Sequence, residues 1–260
     1  MNRSGLNFRF IIMLGFIGFS VISYYMKSSV NPITGESQNV SLSPEQEVAM
    51  GLQSAPQMAA EFGGIYQDPK VQNAFKQIGA KLVQNAGLSN SPYRFEFHVL
   101  ADPQTVNAFA LPGGQIFITV ALLKRLENED QIAGVLGHEI GHVVNRHSAE
   151  HMAKQSMWNG IVQGVAMGSD MSGAQIAGVV ANMINMKYGR NDELESDKYG
   201  IEYMYKSGYQ PENMIRVMEI LDEASGGKGG QNEFMSSHPS PENRIIKIKE
   251  EIARIKGGGQ

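Results

Sequence analysis

The pentapeptide H-E-I-G-H at residues 138–142 contains the residue types of a hydrolytic metal site. Residues four apart lie one turn apart on the same face of a helix, so His138 and His142 can both bind one ion. Glu139 is rotated by about 100° from His138 and can lie beside that ion without binding it. Two imidazoles next to a carboxylate are what a zinc-activated water requires. The alternative is a buried helix whose histidines form only hydrogen bonds.

A catalytic zinc site also needs a third protein ligand and one open position. The acidic segment 191–197 offers that ligand, because Glu193 and Asp197 lie four residues apart and share a helix face. We predict that Glu193 binds the metal and that Asp197 bonds to the free nitrogen of a ligand histidine. Asn191 is the expected N-cap of this helix, and Glu195 is expected to face solvent. An ordinary capped helix with a solvated acidic start is the alternative.

Helical periodicity surrounds the H-E-x-x-H motif. Asn128 is a favourable N-cap, and Gln131 at the third helical position completes a capping box. Apolar residues recur at helical spacing at positions 132, 136, 140 and 143. Gly134, Gly137 and Gly141 cluster on another face at a cost in helix propensity. This cluster predicts that a second backbone approaches the helix closely.

A small sheet of about three strands is predicted before this helix. Residues 94–100 alternate apolar and polar side chains, as in a half-buried strand. Two further short strands, 109–111 and 115–119, flank a Pro-Gly-Gly turn at 112–114. The edge of such a sheet can pair with an extended substrate through its backbone. A sheet that only covers the core fits the same residues.

Four segments together resemble the M48 family of zinc metallopeptidases, which includes the HtpX, Ste24 and Oma1 groups and the BepA-like periplasmic enzymes. They are H-E-I-G-H-V-V-N-R-H at 138–147, E-L-E-S-D at 193–197, N-A-F-A-L-P-G-G-Q-I-F-I at 107–118 and S-H-P-S-P-E-N-R-I at 237–245. The segments occur in the order that the family shows. Ser196 stands where the family usually has alanine, a change that leaves the ligand types intact.

The resemblance implies roles for matching residues. The implied zinc ligands are His138, His142 and Glu193. Glu139 matches the general base, and Asp197 matches a supporting carboxylate. The implied substrate-binding residues lie in the edge-strand segment and are Asn107, Ala108, Phe109 and Ala110.

The element near the end of the chain adds two implied catalytic residues, His238 near the metal and Arg244 after it. His238 precedes a predicted helix start at 240–241 and follows a glycine-rich segment, 225–230, that is flexible by composition. His238 could stabilise an oxyanion, or fill the open metal position and keep the enzyme latent. A surface histidine near a helix cap is the third alternative.

Other histidines are interpreted as structural. His147 lies five residues beyond His142, about 140° around a continuous helix, and is expected to serve the helix end. His98 and His151 have no partner at ligand spacing. The chain lacks cysteine and a G-x-S-x-G motif, which argues against cysteine and serine nucleophiles. Its net charge of -4 gives no indication of a nucleic-acid partner.

An N-terminal apolar segment at 10–26 follows Arg3 and Arg9, and no acidic residue occurs before Glu36. This pattern is typical of a signal peptide or signal anchor. No A-x-A-like cleavage site follows, so we favour an uncleaved anchor over residues 1–27. The positive flank places the catalytic domain outside the cytoplasm, which is the periplasmic side of the inner membrane in a Gram-negative cell. Cleavage would release the domain into the periplasm.

The predicted fold class is α+β and mainly helical, with a zincin-like metallopeptidase domain at 44–256. A linker at 28–43 precedes this domain and a disordered tail at 257–260 follows it. Further helices are predicted from residue 44, at 68–83, 211–224 and 240–256. A helical pair at 148–186 is expected to pack on the core or cover the cleft as a lid.

The motif and its third ligand predict a zinc-dependent endopeptidase with one Zn²⁺ per chain as its cofactor. The family resemblance implies that it acts in the quality control of envelope proteins, with unfolded or misassembled envelope polypeptides as substrates. A chaperone-like assembly factor that rarely cleaves is the alternative, and a structural protein with a fortuitous motif is a third. The presence of Glu139 favours catalysis, because a pure binding protein has no need of a general base.

Overall fold

The computed structural model describes residues 3–168, 187–226, 233–239 and 243–258, which divide into two compact units. The first unit contains helix α1 (Arg3–Tyr25), strands β1 (Ser28–Val30) and β2 (Ser37–Asn39), and most of helix α6 (His147–Gly168). β1 and β2 pair in an antiparallel hairpin. The segment at 28–43, which we expected to be a plain linker, therefore contains regular structure.

The N-terminal apolar segment is helical, since α1 covers nearly all of it. Within the described part of the chain, no helix is both long enough and apolar enough to cross a membrane. The expected membrane anchor is therefore not confirmed.

The second unit contains a three-stranded sheet, with helices that precede and follow its strands along the chain. The strands are β3 (Glu96–Leu100), β4 (Ala108–Ala110) and β5 (Gln115–Thr119). The helices are α2 (Pro44–Glu61), α3 (Pro69–Asn85), α4 (Val120–Leu123), α5 (Glu129–Val144), α7 (Arg190–Lys206), α8 (Asn213–Ala224), α9 (Glu233–Ser237) and α10 (Arg244–Gly257). The predicted mainly helical α+β class with a small sheet is confirmed.

The sheet has the strand order β3-β5-β4, so β5 is central and every one of its residues is buried. β3 runs parallel to β5, whereas β4 runs antiparallel to it. The side chain of Gln72 on α3 covers the outer edge of β3. Its amide oxygen accepts from the Val99 N–H at 3.0 Å, and its amide nitrogen donates to the Val99 carbonyl at 2.7 Å. β4 forms the opposite edge.

Helix α5 lies in the core of this unit and packs along α7. A Cβ atom added at Gly137 would lie 3.0 Å from the Cα of Gly200, and one added at Gly141 would lie 2.9 Å from the Cα of Ser196. The predicted close approach of a second backbone is thus confirmed for these two glycines. Gly134 differs, because its nearest neighbours are side-chain atoms at 3.6 Å.

Several helix boundaries differ from the prediction. α7 begins at Arg190, and its N-cap is Gly189, whose N–H donates to the Asp192 carboxylate at 2.8 Å; Asn191 is not the cap. The short helix α9 was not predicted. α10 begins at Arg244 and extends to Gly257, the first residue of the predicted tail. The second half of the predicted helical pair (169–186), most of the glycine-rich segment and positions 240–242 lie outside the described residues.

Candidate metal centre

Helix α5 positions the two motif histidines. Asn128 caps the helix as predicted, with its side-chain oxygen accepting from the Gln131 N–H at 3.0 Å. The helix then places His138 and His142 one turn apart, with their Nε2 atoms 3.0 Å from each other. Both side chains are almost fully buried. The helical register predicted from the motif therefore brings two imidazole nitrogens to one point.

Helix α7 brings a carboxylate to the same point. Glu193 Oε2 lies 3.5 Å from His138 Nε2, and Glu193 Oε1 lies 3.4 Å from His142 Nε2. One turn further along α7, Asp197 Oδ1 lies 2.9 Å from His138 Nδ1. The structure thus places Glu193 and Asp197 on the shared helix face expected from their spacing. The Glu193 carboxylate lies near Nε2 of His138, and the Asp197 carboxylate lies near its Nδ1.

His238 completes the cluster from the residue after α9. Its Nδ1 atom lies 3.0 Å from Glu193 Oε1 and 3.4 Å from His138 Nε2. The ring stacks on Phe234 at a centroid distance of 4.5 Å and is only 1% exposed. A hydrogen bond of 3.0 Å from the Tyr188 N–H to the Ser237 carbonyl ties this segment to the start of α7. The surface interpretation of His238 is therefore wrong.

The four side chains fit a zinc ion. Donor atoms of His138, His142, Glu193 and His238 all lie within 4.8 Å of one another. Five pairs of donor atoms, taking either oxygen of Glu193, are separated by 3.0 to 3.5 Å. Tetrahedral zinc with bonds of roughly 2.0–2.1 Å holds its donors about 3.3 Å apart. Three imidazoles and one carboxylate are also donor types that zinc accepts.

The protonation states required of His142 and Glu193 agree with their surroundings, whereas the pKa of His238 is raised because the charges of Glu193 and Glu139 outweigh its burial. Burial lowers the pKa of His142 well below its ordinary value, so its imidazole is neutral and able to bind a metal. Burial alone would raise the pKa of Glu193, but the charges of His238 and Arg244 outweigh it and hold that pKa well below its usual range. Glu193 is therefore ionised in this buried position.

Glu139 lies beside the cluster without joining it. Its side chain is fully buried, and neither carboxylate oxygen has a hydrogen-bond partner among the described residues. His238 Nε2 lies 3.8 Å from Glu139 Oε1, beyond hydrogen-bond distance. Burial raises the pKa of Glu139, and the charges of His238 and His138 offset only part of this effect. A carboxylate with unused acceptor capacity and a raised pKa is suited to accept a proton.

Arg244 holds the carboxylates from behind. Its guanidinium is fully buried and bonds to both oxygens of Asp197, at 2.6 and 2.9 Å. Its Nη1 atom lies 2.9 Å from Glu193 Oε2. Burial opposes ionisation of Asp197, but Arg244 and His138 together outweigh it and lower the pKa of Asp197. The contacts of Arg244 are those of a residue that positions the carboxylates.

Sequence reasoning missed His147. α5 ends at Val144 and α6 begins at His147, with Arg146 between them in the left-handed region at φ 59°. This break returns the His147 ring to His142, with the two Nδ1 atoms 2.9 Å apart. The expectation of a ring turned 140° away was wrong because it assumed a continuous helix. Asn145 was the only weak signal of a helix end in the sequence.

Two more residues near the metal centre were not anticipated. Glu195 is only a third exposed, and its Oε2 atom lies 3.0 Å from His147 Nε2. The expectation that Glu195 faces solvent was therefore wrong. Tyr188 stacks on His142 at a centroid distance of 3.9 Å. Neither its residue type nor its spacing distinguishes Tyr188 in the sequence.

The candidate substrate-binding segment lies along β4. The Asn107 carbonyl accepts from the Thr119 N–H at 3.0 Å, and the Leu111 N–H donates to the Gln115 carbonyl at 2.8 Å. Antiparallel pairing alternates, so the backbones of Ala108 and Ala110 face the outer edge. The backbone groups of Phe109 face β5 instead, opposite Phe117. Among the described residues, no hydrogen bond joins this segment to the metal donors.

Comparisons with known proteins give consistent matches. The model of peptidase family M48 matches residues 69–252. The chain is 30% identical over 235 residues to the beta-barrel assembly-enhancing protease of Yersinia pestis, which covers 86% of this chain and 48% of that protein. It is 36% identical over 171 residues to the mitochondrial metalloendopeptidase OMA1 of Schizosaccharomyces pombe. This alignment covers 65% of the present chain and 50% of that protein. The chain spans about half the length of these curated relatives.

Proposed function

The chain belongs to peptidase family M48, and from this membership and the geometry of the metal centre we propose that it is a zinc-dependent endopeptidase. His138, His142 and Glu193 would hold one zinc ion. One observation carries the proposal: imidazole and carboxylate donors converge at the spacing of a single ion, with the unpartnered carboxylate of Glu139 beside them.

The side chains around the ion have separate tasks. A bound zinc ion would lower the pKa of a coordinated water and polarise a peptide carbonyl. Glu139 would accept the proton of the attacking water and return it to the leaving amine. Asp197 accepts the Nδ1–H of His138, which directs Nε2 of that ring to the metal. Arg244 keeps Asp197 and Glu193 ionised and in place.

His238 supports a latent resting state. A catalytic zinc keeps one position open, whereas His238 Nδ1 lies among the other three donors in the described structure. We therefore propose that His238 fills the fourth position at rest and leaves it before substrate binds. This choice is preferred over oxyanion stabilisation because its Nδ1 atom is as close to the ligands as they are to one another.

The β4 edge supports binding of an extended substrate strand. The opposite edge of the sheet is covered by Gln72, so β4 is the edge whose outward backbone groups, those of Ala108 and Ala110, would pair with a substrate. Both residues are buried in the resting structure, so this pairing requires the edge to be uncovered first. The side-chain oxygen of Asn107 is buried without a partner among the described residues, so it is available as an acceptor for a substrate N–H. Backbone pairing of this kind gives affinity with little sequence preference.

Comparison of the unaltered protein with Glu139→Gln tests the enzymatic proposal. Both proteins are purified as full chains, supplied with zinc and incubated with casein. We expect the substitution to reduce cleavage by roughly 10²–10⁴-fold, the usual range for loss of a general base, while zinc content is unchanged. Equal cleavage by both proteins would remove the proposed mechanism.

The names of the relatives support a role in envelope quality control. One relative is named for enhancing beta-barrel assembly and is itself a protease. We extend this role to the present chain and propose unfolded or misassembled envelope proteins as substrates. If Glu139→Gln restored barrel assembly in a deletion strain as well as the unaltered gene does, the chaperone-like alternative would replace proteolysis as the main activity.

We also propose that the catalytic unit acts outside the cytoplasm, at the membrane or free in the periplasm. Arg3 and Arg9 before an apolar helix, with no acidic residue until Glu36, support export. Cell fractionation tests the location, and N-terminal sequencing of the mature protein tests cleavage. Recovery of the catalytic unit in the cytoplasmic fraction would contradict export.

A further inference from the structure

The two imidazoles from α5 are supported in different ways. His138 Nδ1 lies directly against a carboxylate, Asp197. His142 Nδ1 instead faces the Nδ1 atom of another histidine, His147, at 2.9 Å. His147 Nε2 in turn lies 3.0 Å from Glu195 Oε2. Each metal-facing imidazole therefore leads to a carboxylate of α7, directly in one case and through a second imidazole in the other.

The hydrogen atoms in this chain of contacts have one consistent arrangement. If Nε2 of His142 faces the metal, its Nδ1 carries the proton and donates to His147 Nδ1. His147 must then be neutral, with its proton on Nε2, from which it donates to the Glu195 carboxylate. Every donor in the series therefore meets an acceptor.

The backbone around His147 is held in the conformation that this contact requires. Arg146 adopts φ 59°, a left-handed conformation that is unfavourable for an L-residue. Its side chain is buried and bonded to the buried carboxylate of Glu47, with Arg146 Nε 2.8 Å from Glu47 Oε1. This pair fixes Arg146 and so fixes the direction in which the chain turns into His147. Strained backbone maintained by surrounding contacts is common at functional sites.

We propose that His147 and Glu195 are positioning residues for His142, with Glu195 orienting His147 and His147 orienting the metal-binding imidazole. This inference rests on the proposed zinc peptidase function. Outer partners of this kind typically account for 10–100-fold in metal affinity. Glu195 is partly exposed, so its contribution is expected at the lower end of that range.

Zinc affinity of Glu195 variants tests this proposal. Zinc dissociation constants are measured on the full chain by chelator competition for the unaltered protein, Glu195→Gln and Glu195→Ala. Glu202→Gln and Glu202→Ala are the matched controls, because Glu202 lies on α7 and its side chain is 30% exposed, against 32% for Glu195. Visible absorption of the Co²⁺-substituted proteins reports ligand geometry independently of activity, and urea unfolding in chelator reports the stability of the metal-free fold.

We expect Glu195→Ala to weaken zinc binding about tenfold and to shift the Co²⁺ spectrum, with Glu195→Gln intermediate because its amide oxygen still accepts from His147. Both Glu202 variants should match the unaltered protein. Equal zinc affinity and Co²⁺ spectra for the Glu195 and Glu202 variants would overturn the positioning role alone. Absence of zinc binding by the unaltered protein would overturn the proposed function and this inference with it.

Discussion

Single residues of the metal centre carry charge in a fully buried environment. Arg244 shows the balance most clearly, because its cost of burial is offset by three close contacts with Asp197 and Glu193. Removing one member of such a group leaves the others as uncompensated buried charges. Stability of the metal-free protein should therefore depend strongly on this arginine.

Arg244→Met should lower the free energy of unfolding by about 3–5 kcal/mol, the usual effect of breaking a buried ion pair. Urea unfolding in the presence of a chelator measures this loss without a contribution from bound metal. Arg254→Met is the matched control, because Arg254 lies on the same helix and forms an exposed pair with Glu251. The control should change stability little. Equal effects of the two substitutions would contradict the assigned role of Arg244.

The positions of individual site residues can be predicted from the sequence where they depend only on helical spacing. Positions 138 and 142, and likewise 193 and 197, are one turn apart in any helix, so their shared faces follow from the register alone. His147 could not be assigned in the same way. Its position depends on a helix break and a left-handed Arg146, which a buried partner from α2 stabilises. Such long-range stabilisation leaves no local pattern in the sequence.

At the level of helices, the site depends on how closely α5 and α7 approach. The added Cβ atom at Gly141 would lie 2.9 Å from the backbone of Ser196, a separation that a rigid backbone cannot accept. Any methyl group there must push apart the two helices that carry the proposed zinc ligands. The same substitution at Gly134 meets only side-chain atoms at 3.6 Å.

Gly141→Ala should therefore destabilise the protein by about 1–3 kcal/mol and weaken zinc binding. Gly134→Ala on the same helix should be neutral or stabilise by up to about 1 kcal/mol, the gain in helix propensity. Thermal unfolding and chelator competition measure both properties. Tolerance of alanine at Gly141 with unchanged zinc affinity would show that the close packing of α5 on α7 is not required.

The edge strand gives a second prediction at this level. Ala110→Pro removes an N–H that faces the outer edge and should leave the pairing of β4 with β5 intact. We expect a several-fold rise in KM for casein and no loss of zinc. Ala110→Ser keeps both the N–H and a small side chain and is the control. If the proline variant has the KM of the unaltered protein, substrate does not pair with this edge.

The sequence predicts which segments form helices and strands more accurately than it predicts how these elements pair and pack. Alternation and turn residues located the strands near 94–100, 109–111 and 115–119, but the parallel pairing of β3 with β5 depends on contacts across the sheet. The predicted start of α7 is wrong because it relied on Asn191 as a favourable N-cap residue type, whereas the helix is capped at Gly189. The N–H of Gly189 is satisfied instead by Asp192 reaching back from the third helical position.

For the molecule as a whole, the position of His238 determines whether substrate can reach the metal. It comes from the segment that follows α9, and a hydrogen bond of 3.2 Å from the Phe234 N–H to the Val106 carbonyl holds α9 near the start of the β4 segment. Release of this segment would free the fourth metal position and the end of the substrate edge together.

His238→Ala should raise casein cleavage several-fold and weaken zinc binding, because one donor is lost and the open position is restored. Ser237→Ala is the control, since among the described residues the Ser237 hydroxyl donates only to carbonyls within α9. Kinetics of cleavage and zinc competition provide the two measurements. Reduced kcat in His238→Ala with unchanged zinc affinity would instead assign His238 to oxyanion stabilisation.

Zinc content of the purified full chain tests the central claim most directly. Elemental analysis should find one zinc per chain in the unaltered protein and in Glu139→Gln, because Glu139 lies beside the donors without being one of them. Glu193→Ala should retain much less than one, since it loses the carboxylate that bridges both α5 histidines. One zinc per chain in Glu193→Ala, or none in the unaltered protein, would contradict a metal ion held between α5 and α7.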